Sequence, residues 1–215
     1  MIKNVRAHQR AFLKQLKTRK ESVLYQIQGV EIIVNPTVFP PATDTKLLAA
    51  HILVGSSMRT LDLTTGSGIF SVIAGLQGAS GIAVDINLKA VKNAQENFVK
   101  HSVNMQALQS DLFSNVPSEK FDQIFANGPL FEGRVNDPLD YACYGAKKFV
   151  KILLSSVKTY LKPKGRLLLI QSEWSDLKHF NLTVKNNGLR SSLIAKRSSD
   201  DGKRMYRLYE VRSGI

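Results

Sequence analysis

The chain has 215 residues, 43% of them hydrophobic and 22% charged, and carries a formal net charge of +13. This length and apolar fraction suit one globular domain with a sizeable core, and no second catalytic domain is expected. The single cysteine, Cys143, excludes an intramolecular disulfide and argues against a thiolate metal site; no apolar run approaches the roughly 20 residues that span a bilayer, so a soluble, cytoplasmic protein is expected.

In chain order, Val5, Phe12, Leu13 and Leu16 fall on one face of a helix within the first 22 residues. Basic residues surround that face: Lys3, Arg6, Arg10, Lys14, Lys17, Arg19 and Lys20, with no acid in residues 1–20. The stretch fits a short surface helix and also mimics an organelle presequence. "YQIQGVEIIV" alternates and breaks at Gly29, which predicts a small hairpin. Proline-rich "NPTVFPPATDT" leads into "TKLLAAHILV", a helical pattern with Thr43 or Asp44 as its N-cap. Residues 1–40 are expected to form a basic helix-and-hairpin extension of a main domain at 41–215.

From there short apolar runs alternate with amphipathic segments. The strands expected are "RTLDLT", "GIAVDI", "MQALQS", "DQIFAN" and "RLLLIQ"; the helices are "IFSVIAGLQ", "LKAVKNAQENFVK", "AKKFVKILLSSVKTYL" and "DLKHFNLTVKNN". Such alternation predicts an α/β, doubly wound, mostly parallel sheet. At the end, "RSSLIAKR" and "RMYRLYEVR" flank the turn signal "SSDDGK" and predict an antiparallel hairpin. A second acid-free stretch, residues 147–166, contains Lys147, Lys148, Lys151, Lys158, Lys162, Lys164 and Arg166. The two basic stretches favour a polyanionic or ribosome-associated target over a merely solvated helix surface.

The chemistry is concentrated at strand ends. "LDLTTGSGIF" puts Asp62 inside a strand and Gly66 and Gly68 at the turn into a helix, where glycines let a ligand approach the backbone and the helix offers unpaired N–H groups. Asp85 ends the next strand, seventeen residues after Gly68, where a carboxylate can accept the hydroxyls of a ribose. The third glycine of a dinucleotide turn is missing, and Asp62 would repel a pyrophosphate while it could receive an ammonium group. Asp111 in "QSDLF" is placed to accept from an adenine amino group. Three acids at three successive strand ends suit a cationic nucleoside ligand, S-adenosylmethionine.

Taken in order, "VFPPATDTKLL", "LDLTTGSG", "AVDIN", "SDLF" and "FDQIFANGPLF" resemble a class I S-adenosylmethionine-dependent methyltransferase over residues 36–212. The chain is most similar to the branch holding the release-factor glutamine methyltransferases and the base-amino methyltransferases of RNA and DNA. The resemblance implies a seven-stranded Rossmann-like sheet, S-adenosylhomocysteine as product, and a cofactor site at Asp62, Thr64, Gly66, Gly68, Asp85, Ile86, Asp111, Leu112 and Asn127. It also implies that Asn127 and the Gly128 carbonyl, followed by Pro129, accept the two hydrogens of a planar nitrogen and aim its lone pair at the methyl group. Phe39, Pro40, Thr43, Asp44, Leu130 and Phe131 are then candidates for the substrate wall; Thr43 and Asp44 read equally well as helix caps.

Three positions depart from the family pattern. Thr64 stands where the cofactor turn has its first glycine, Gly128 where the motif has its first proline, and Leu130 where it has a stacking aromatic ring, so Phe131 is the candidate replacement. The expected activity is N-methylation of a protein glutamine; the alternatives are a base amino group of ribosomal or transfer RNA, a small molecule, or a module that binds cofactor without catalysis. His8, His51, His101 and His179 show no metal-ligand spacing, and no metal is expected. Trp174 is expected to pack against the sheet.

Overall fold

The computed structural model describes residues 2–214, with side chains for residues 7 and 9–214. The expectations for Val5, Lys3, Arg6 and His8 therefore lie outside the described side chains. Helix α1 (Ile2–Thr18) is followed by a two-stranded hairpin, β1 (Val23–Ile27) and β2 (Val30–Val34), and by α2 (Thr43–Ala49). Then come β3 (Arg59–Asp62), α3 (Ile69–Leu76), β4 (Ser80–Asp85), α4 (Leu88–Lys100), β5 (Met105–Gln109) and β6 (Phe121–Ala126). The chain ends with α5 (Ala146–Tyr160), β7 (Leu161–Ser172), α6 (Leu177–Asn186), β8 (Leu189–Ser198) and β9 (Met205–Ser213). No described helix is long and apolar enough to cross a membrane.

Seven strands form the main sheet in the order β5-β4-β3-β6-β7-β9-β8. The first five are mutually parallel, and β9 runs antiparallel to both β7 and β8. This is the expected doubly wound sheet with its antiparallel C-terminal hairpin. The strand order reverses between β3 and β6, so the loops leaving their carboxyl ends part to opposite sides and open a crevice there.

Alternation along the strands sorts the core into two layers. Phe125, Leu168, Ile170 and Leu208 face α2, α3, α4 and the hairpin. Ile124, Leu167, Leu169 and Val211 face α5 and α6, where Leu153, Leu154 and Phe180 are fully buried. Strands apolar on both faces are what a sheet covered on both sides requires.

The hairpin turn uses Gln28 and Gly29 at φ 53° and 77°, the left-handed pair that matches strand twist. The outer edge of β2 pairs with no strand; two fully buried asparagines of α4 serve it instead. Asn97 Oδ1 accepts from Ile33 N–H (3.0 Å), while its Nδ2 donates to the carbonyls of Ile33 (2.8 Å) and Ser67 (2.9 Å). Asn93 accepts from Asn35 N–H (2.9 Å) and donates to the Ile33 carbonyl (3.0 Å). One helix face thus ties the hairpin to the glycine turn after β3.

Local expectations fail at three places. The N-cap of α2 is Ala42, not Thr43 or Asp44: its backbone is extended, its N–H donates to Thr45 Oγ1 (3.2 Å), and both predicted caps lie inside the first turn. Strand β7 starts at Leu161, before "RLLLIQ", because Leu161 pairs with Phe121 ahead of a register shift. A 3-10 helix at Pro138–Ala142, capped by Asp137, was not anticipated.

Asn97→Ala should lower unfolding free energy by on the order of 2 kcal/mol, since it leaves the Ile33 N–H and the Ser67 carbonyl without this partner while the Ile33 carbonyl keeps Asn93. Denaturant unfolding measures this, and a loss below about 1 kcal/mol would contradict the bridging role.

Candidate active site

A cleft of about 600 Å³ opens at the carboxyl ends of β3, β4, β5 and β6. One half is built on the turn after β3. Thr65 N–H donates to the Val84 carbonyl (3.0 Å) and Gly68 N–H to the Thr65 carbonyl (2.8 Å), which closes the turn onto β4. Gly66 sits at φ +54°, and an added Cβ would meet only the Phe39 carbonyl, 4.0 Å away, so the turn is bare toward the cleft. The Asp85 carboxylate accepts from Gly66 N–H (3.0 Å) and Asn87 N–H (2.9 Å), and each oxygen keeps a lone pair for a further donor. Ile86, Asp111 and Leu112 continue this wall.

The other half is built on the end of β6. Asn127 N–H donates to Thr64 Oγ1 (3.0 Å), and its Nδ2 donates to Asp44 Oδ2 (3.1 Å). Asn127 Oδ1 is buried and has no hydrogen-bond partner. The departure at Thr64 thereby acquires a purpose: its hydroxyl anchors the backbone of the residue that the motif delivers. Gly128 is likewise required, because a Cβ there would collide with the Phe149 ring, which fills the space beside it. Pro129 and Leu130 line the cleft, and Phe131 stacks on Trp174 with centroids 5.2 Å apart and planes at 23°. Phe39 meets Phe12 of α1 edge to face at 5.6 Å, and Pro40 lies beside it on the wall.

Of the residues expected at the site, Thr64, Gly66, Asp85, Ile86, Asp111, Leu112, Asn127, Gly128, Pro129, Phe39, Pro40, Leu130 and Phe131 all line the cleft, as does Asp44. Three do not. Asp62 is fully buried beneath the turn, where it accepts from Thr65 Oγ1 (2.9 Å) and Ser71 Oγ (3.4 Å), and its Oδ1 has no partner. Gly68 caps α3 at φ +86°, and an added Cβ would lie 2.8 Å from Phe98 Cε1, so this glycine serves helix packing rather than ligand approach. Thr43 is buried in the first turn of α2.

Other residues of the cleft were missed. Gln9 and Phe12 bring α1 over the half built on the end of β6, where Gln9 Nε2 donates to Cys143 Sγ (3.0 Å) and Lys17 Nζ to Asp140 Oδ1 (2.9 Å). Trp174 lines the cleft against Phe131 instead of packing only on the sheet, and the Arg204 guanidinium lies 5.8 Å over its ring. The usable signal was position: "QSEWSD" follows β7 at the same sheet edge as the other motifs. His51, His101 and His179 lie away from the cleft, bonded to the carbonyls of Leu47, Glu31 and Lys147.

Burial makes the acids of this site reluctant to ionise. It pushes Asp62 up to about 7, against the hydroxyls of Thr65 and Ser71 that favour its charge, and it raises Asp44 and Asp85 as well. Buried carboxylates beside a bare glycine turn, one with an oxygen lacking any partner, fit a ligand that brings hydroxyls, amino groups and positive charge. S-adenosylmethionine is such a ligand, so the residues present fit the cofactor the motifs implied.

Comparison with known proteins agrees. The family model of the methyltransferase small domain matches residues 30–186. The chain is 31% identical over 182 residues to a Methanocaldococcus jannaschii protein provisionally assigned as a protein N5-glutamine methyltransferase, covering 81% of this chain and 92% of that one. It is 28% identical to a bifunctional methyltransferase of Rickettsia typhi, of which it spans 39%. A T. thermophilus 16S rRNA N2 methyltransferase, solved with AdoMet and guanosine, shares the fold at a TM-score of 0.66 and 20% identity, over 90% of this chain and 50% of that one. The chain belongs to the methyltransferase small domain family and is an S-adenosylmethionine-dependent methyltransferase.

Proposed function

We propose that the chain methylates a planar amide nitrogen of a macromolecule, in first place the side chain of a protein glutamine. The observation that carries this is the Asn127 amide, which closes β6 with its Nδ2 committed to Asp44 and its Oδ1 buried without a partner. A buried acceptor costs free energy until a donor reaches it, and the N–H of an amide substrate is such a donor. The similarity to the assigned glutamine methyltransferase covers most of both chains and supports the same substrate.

Bound S-adenosylmethionine supplies an electrophilic methyl group. Asn127 Oδ1 and the Gly128 carbonyl would accept the two substrate hydrogens and aim the nitrogen; as it takes the methyl group, S-adenosylhomocysteine would leave and the nitrogen would release one of these hydrogens as a proton to solvent. Asp85 and Asp111, with the backbone of Gly66, Ile86 and Leu112 beside them, would hold the nucleoside part of the cofactor. Asp62 supports the turn from beneath by accepting from the hydroxyls of Thr65 and Ser71. Phe131, stacked on Trp174, and Phe39 form the flat wall of the substrate half. Catalysis in this account is alignment within a desolvated cleft.

A base amino group of RNA is the second reading, favoured by exposed Lys147, Lys148 and Lys151 on α5 and by Arg10 and Lys14 on α1, with Lys148 on the cleft wall itself. We place the protein in the cytoplasm, with residues 1–40 as an extension that roofs the methyltransferase domain at 41–215.

Two substitutions should fail in opposite ways. Asn127→Ala should cut the initial rate of methyl transfer by about 100-fold or more with S-adenosylhomocysteine affinity nearly unchanged by calorimetry. Asp85→Ala should weaken that affinity by about 10-fold or more, the worth of a hydrogen bond to a charged group. Turnover by the Asn127 variant would sink the orienting role, and unchanged affinity in the Asp85 variant would count against the placement of the cofactor.

The buried Asp62 gives a pH signature. With its folded pKa at about 7 against an ordinary 3.8, the group is neutral in both states at low pH, and between these values only the unfolded chain ionises. Stability should therefore fall as pH rises across this window and level off above it, by up to about 4 kcal/mol relative to Asp62→Asn. Denaturant unfolding of both proteins at pH 5 and pH 8 should read about 3 kcal/mol of this change, and a pH-independent gap would contradict it.

A further inference from the structure

We propose that Asp44 is a positioning residue for methyl transfer, fixing which end of the Asn127 amide meets the substrate. The inference rests on the reading of Asn127 above.

The two ends of an asparagine amide have nearly the same shape and opposite hydrogen-bonding roles. Only the oxygen can accept from a substrate N–H; an amide turned by 180° would present its own N–H groups and repel the donor it must hold. Nothing in β6 itself chooses between the two orientations. The choice is made by α2, where Asp44 Oδ2 accepts from Asn127 Nδ2 at 3.1 Å. An ionised carboxylate only accepts, so the turned amide would set oxygen against oxygen at that distance.

The carboxylate is itself well fixed. Asp44 is the second residue of a helix whose preceding residue, Ala42, is extended and bonded to Thr45 Oγ1. The backbone N–H groups of Asp44 and Thr45 also favour its ionised form. Asn127, just after β6, bonds the carboxylate, and its charge is felt by Arg204, just before β9, by Tyr206 of β9 and by Cys143, before α5. Arg204 favours the ionised form, while the Cys143 thiol, pushed up to about 12, stays neutral. Asp44 Oδ1 is buried without a partner, so no other described side chain competes for the carboxylate.

The control has a pH limit. Burial raises the Asp44 pKa, and the bonds from Asn127 and the backbone oppose that rise. Once protonated, Asp44 can donate, the amide oxygen becomes an acceptable partner for it, and the productive orientation is no longer enforced. The rate of transfer should therefore fall on the acid side as Asp44 takes up its proton.

The test measures transfer of radiolabelled methyl groups from S-adenosylmethionine into a fixed, saturating amount of cell extract. Wild type, Asp44→Asn, Asn127→Asp, the exchange of both residues and Asn127→Ala are compared from pH 5 to 9. Asp44→Asn should lose about 10-fold or more in rate and lose the acid limb, with KM for S-adenosylmethionine within about 2-fold. Asn127→Asp should lose at least as much, because two carboxylates then face each other. The exchange should recover rate over both single variants, since it restores one donor facing one carboxylate and leaves an acceptor oxygen toward the substrate.

A wild-type rate and pH profile in Asp44→Asn, with Asn127→Ala inactive, overturns the positioning role and leaves the Asn127 reading intact. An active Asn127→Ala overturns both. If Asp44→Asn does not fold, the exchange carries the test alone, and an exchange no better than Asn127→Asp counts against the proposal.

Discussion

The site depends on one side chain held from two directions. Asn127 donates its backbone N–H to Thr64 and its side-chain Nδ2 to Asp44, which leaves Oδ1 as the only polar atom of the residue's amide without a partner. The first tether comes from the turn after β3, the strand that pairs with β6 at the point where sheet order reverses. The second comes from α2, which packs across the sheet. A shift of either element moves the acceptor oxygen, so the turn after β3 and the wall after β6 are coupled through a single amide.

Around that amide the cleft is polarised by type of residue. Carboxylates occupy the half beside the glycine turn, and their burial makes a cationic ligand welcome. Aromatic rings occupy the other half: Phe131 on Trp174, Phe12 on Phe39, and Phe149 in the space that a side chain at position 128 would need. Flat apolar walls around one buried acceptor suit a planar group carrying N–H donors. Helix α1 covers this half and is joined to the 3-10 segment by the Gln9–Cys143 and Lys17–Asp140 contacts. A side chain inserted from a macromolecule must pass this rim, and its exposed lysines set the electrostatic conditions there.

Strand ends were the most legible feature of the chain. Apolar runs ending in Asp85, Asp111 and Asn127 can be read directly, because a parallel sheet gathers its carboxyl ends at one edge whatever the loops do. What sequence spacing could not convey were partners brought together across the fold. Thr64 and Asn127 are 63 positions apart, and Asp44 and Asn127 are 83 apart. Gly128 and Leu130 read as losses because Phe149 and Trp174, which complete the wall, lie on later elements. Asp62 and Gly68 read as ligand contacts from their place in a motif, yet one lies under the turn and the other packs against Phe98, since a motif's order does not distinguish lining a site from supporting it. The cap of α2 was misassigned for a local reason: Thr45 supplies the hydroxyl from inside the helix, so the capping residue needs no polar side chain.

The central claim is that the cleft receives a glutamine amide from a protein. The direct measurement is to label a cell extract with radioactive methyl groups in the presence of the enzyme and divide the product between protease and ribonuclease digestion. The account predicts label released by protease and recovered, after complete digestion, as N5-methylglutamine. Label released only by ribonuclease, or label that was never macromolecular and passes a dialysis membrane before digestion, would contradict it.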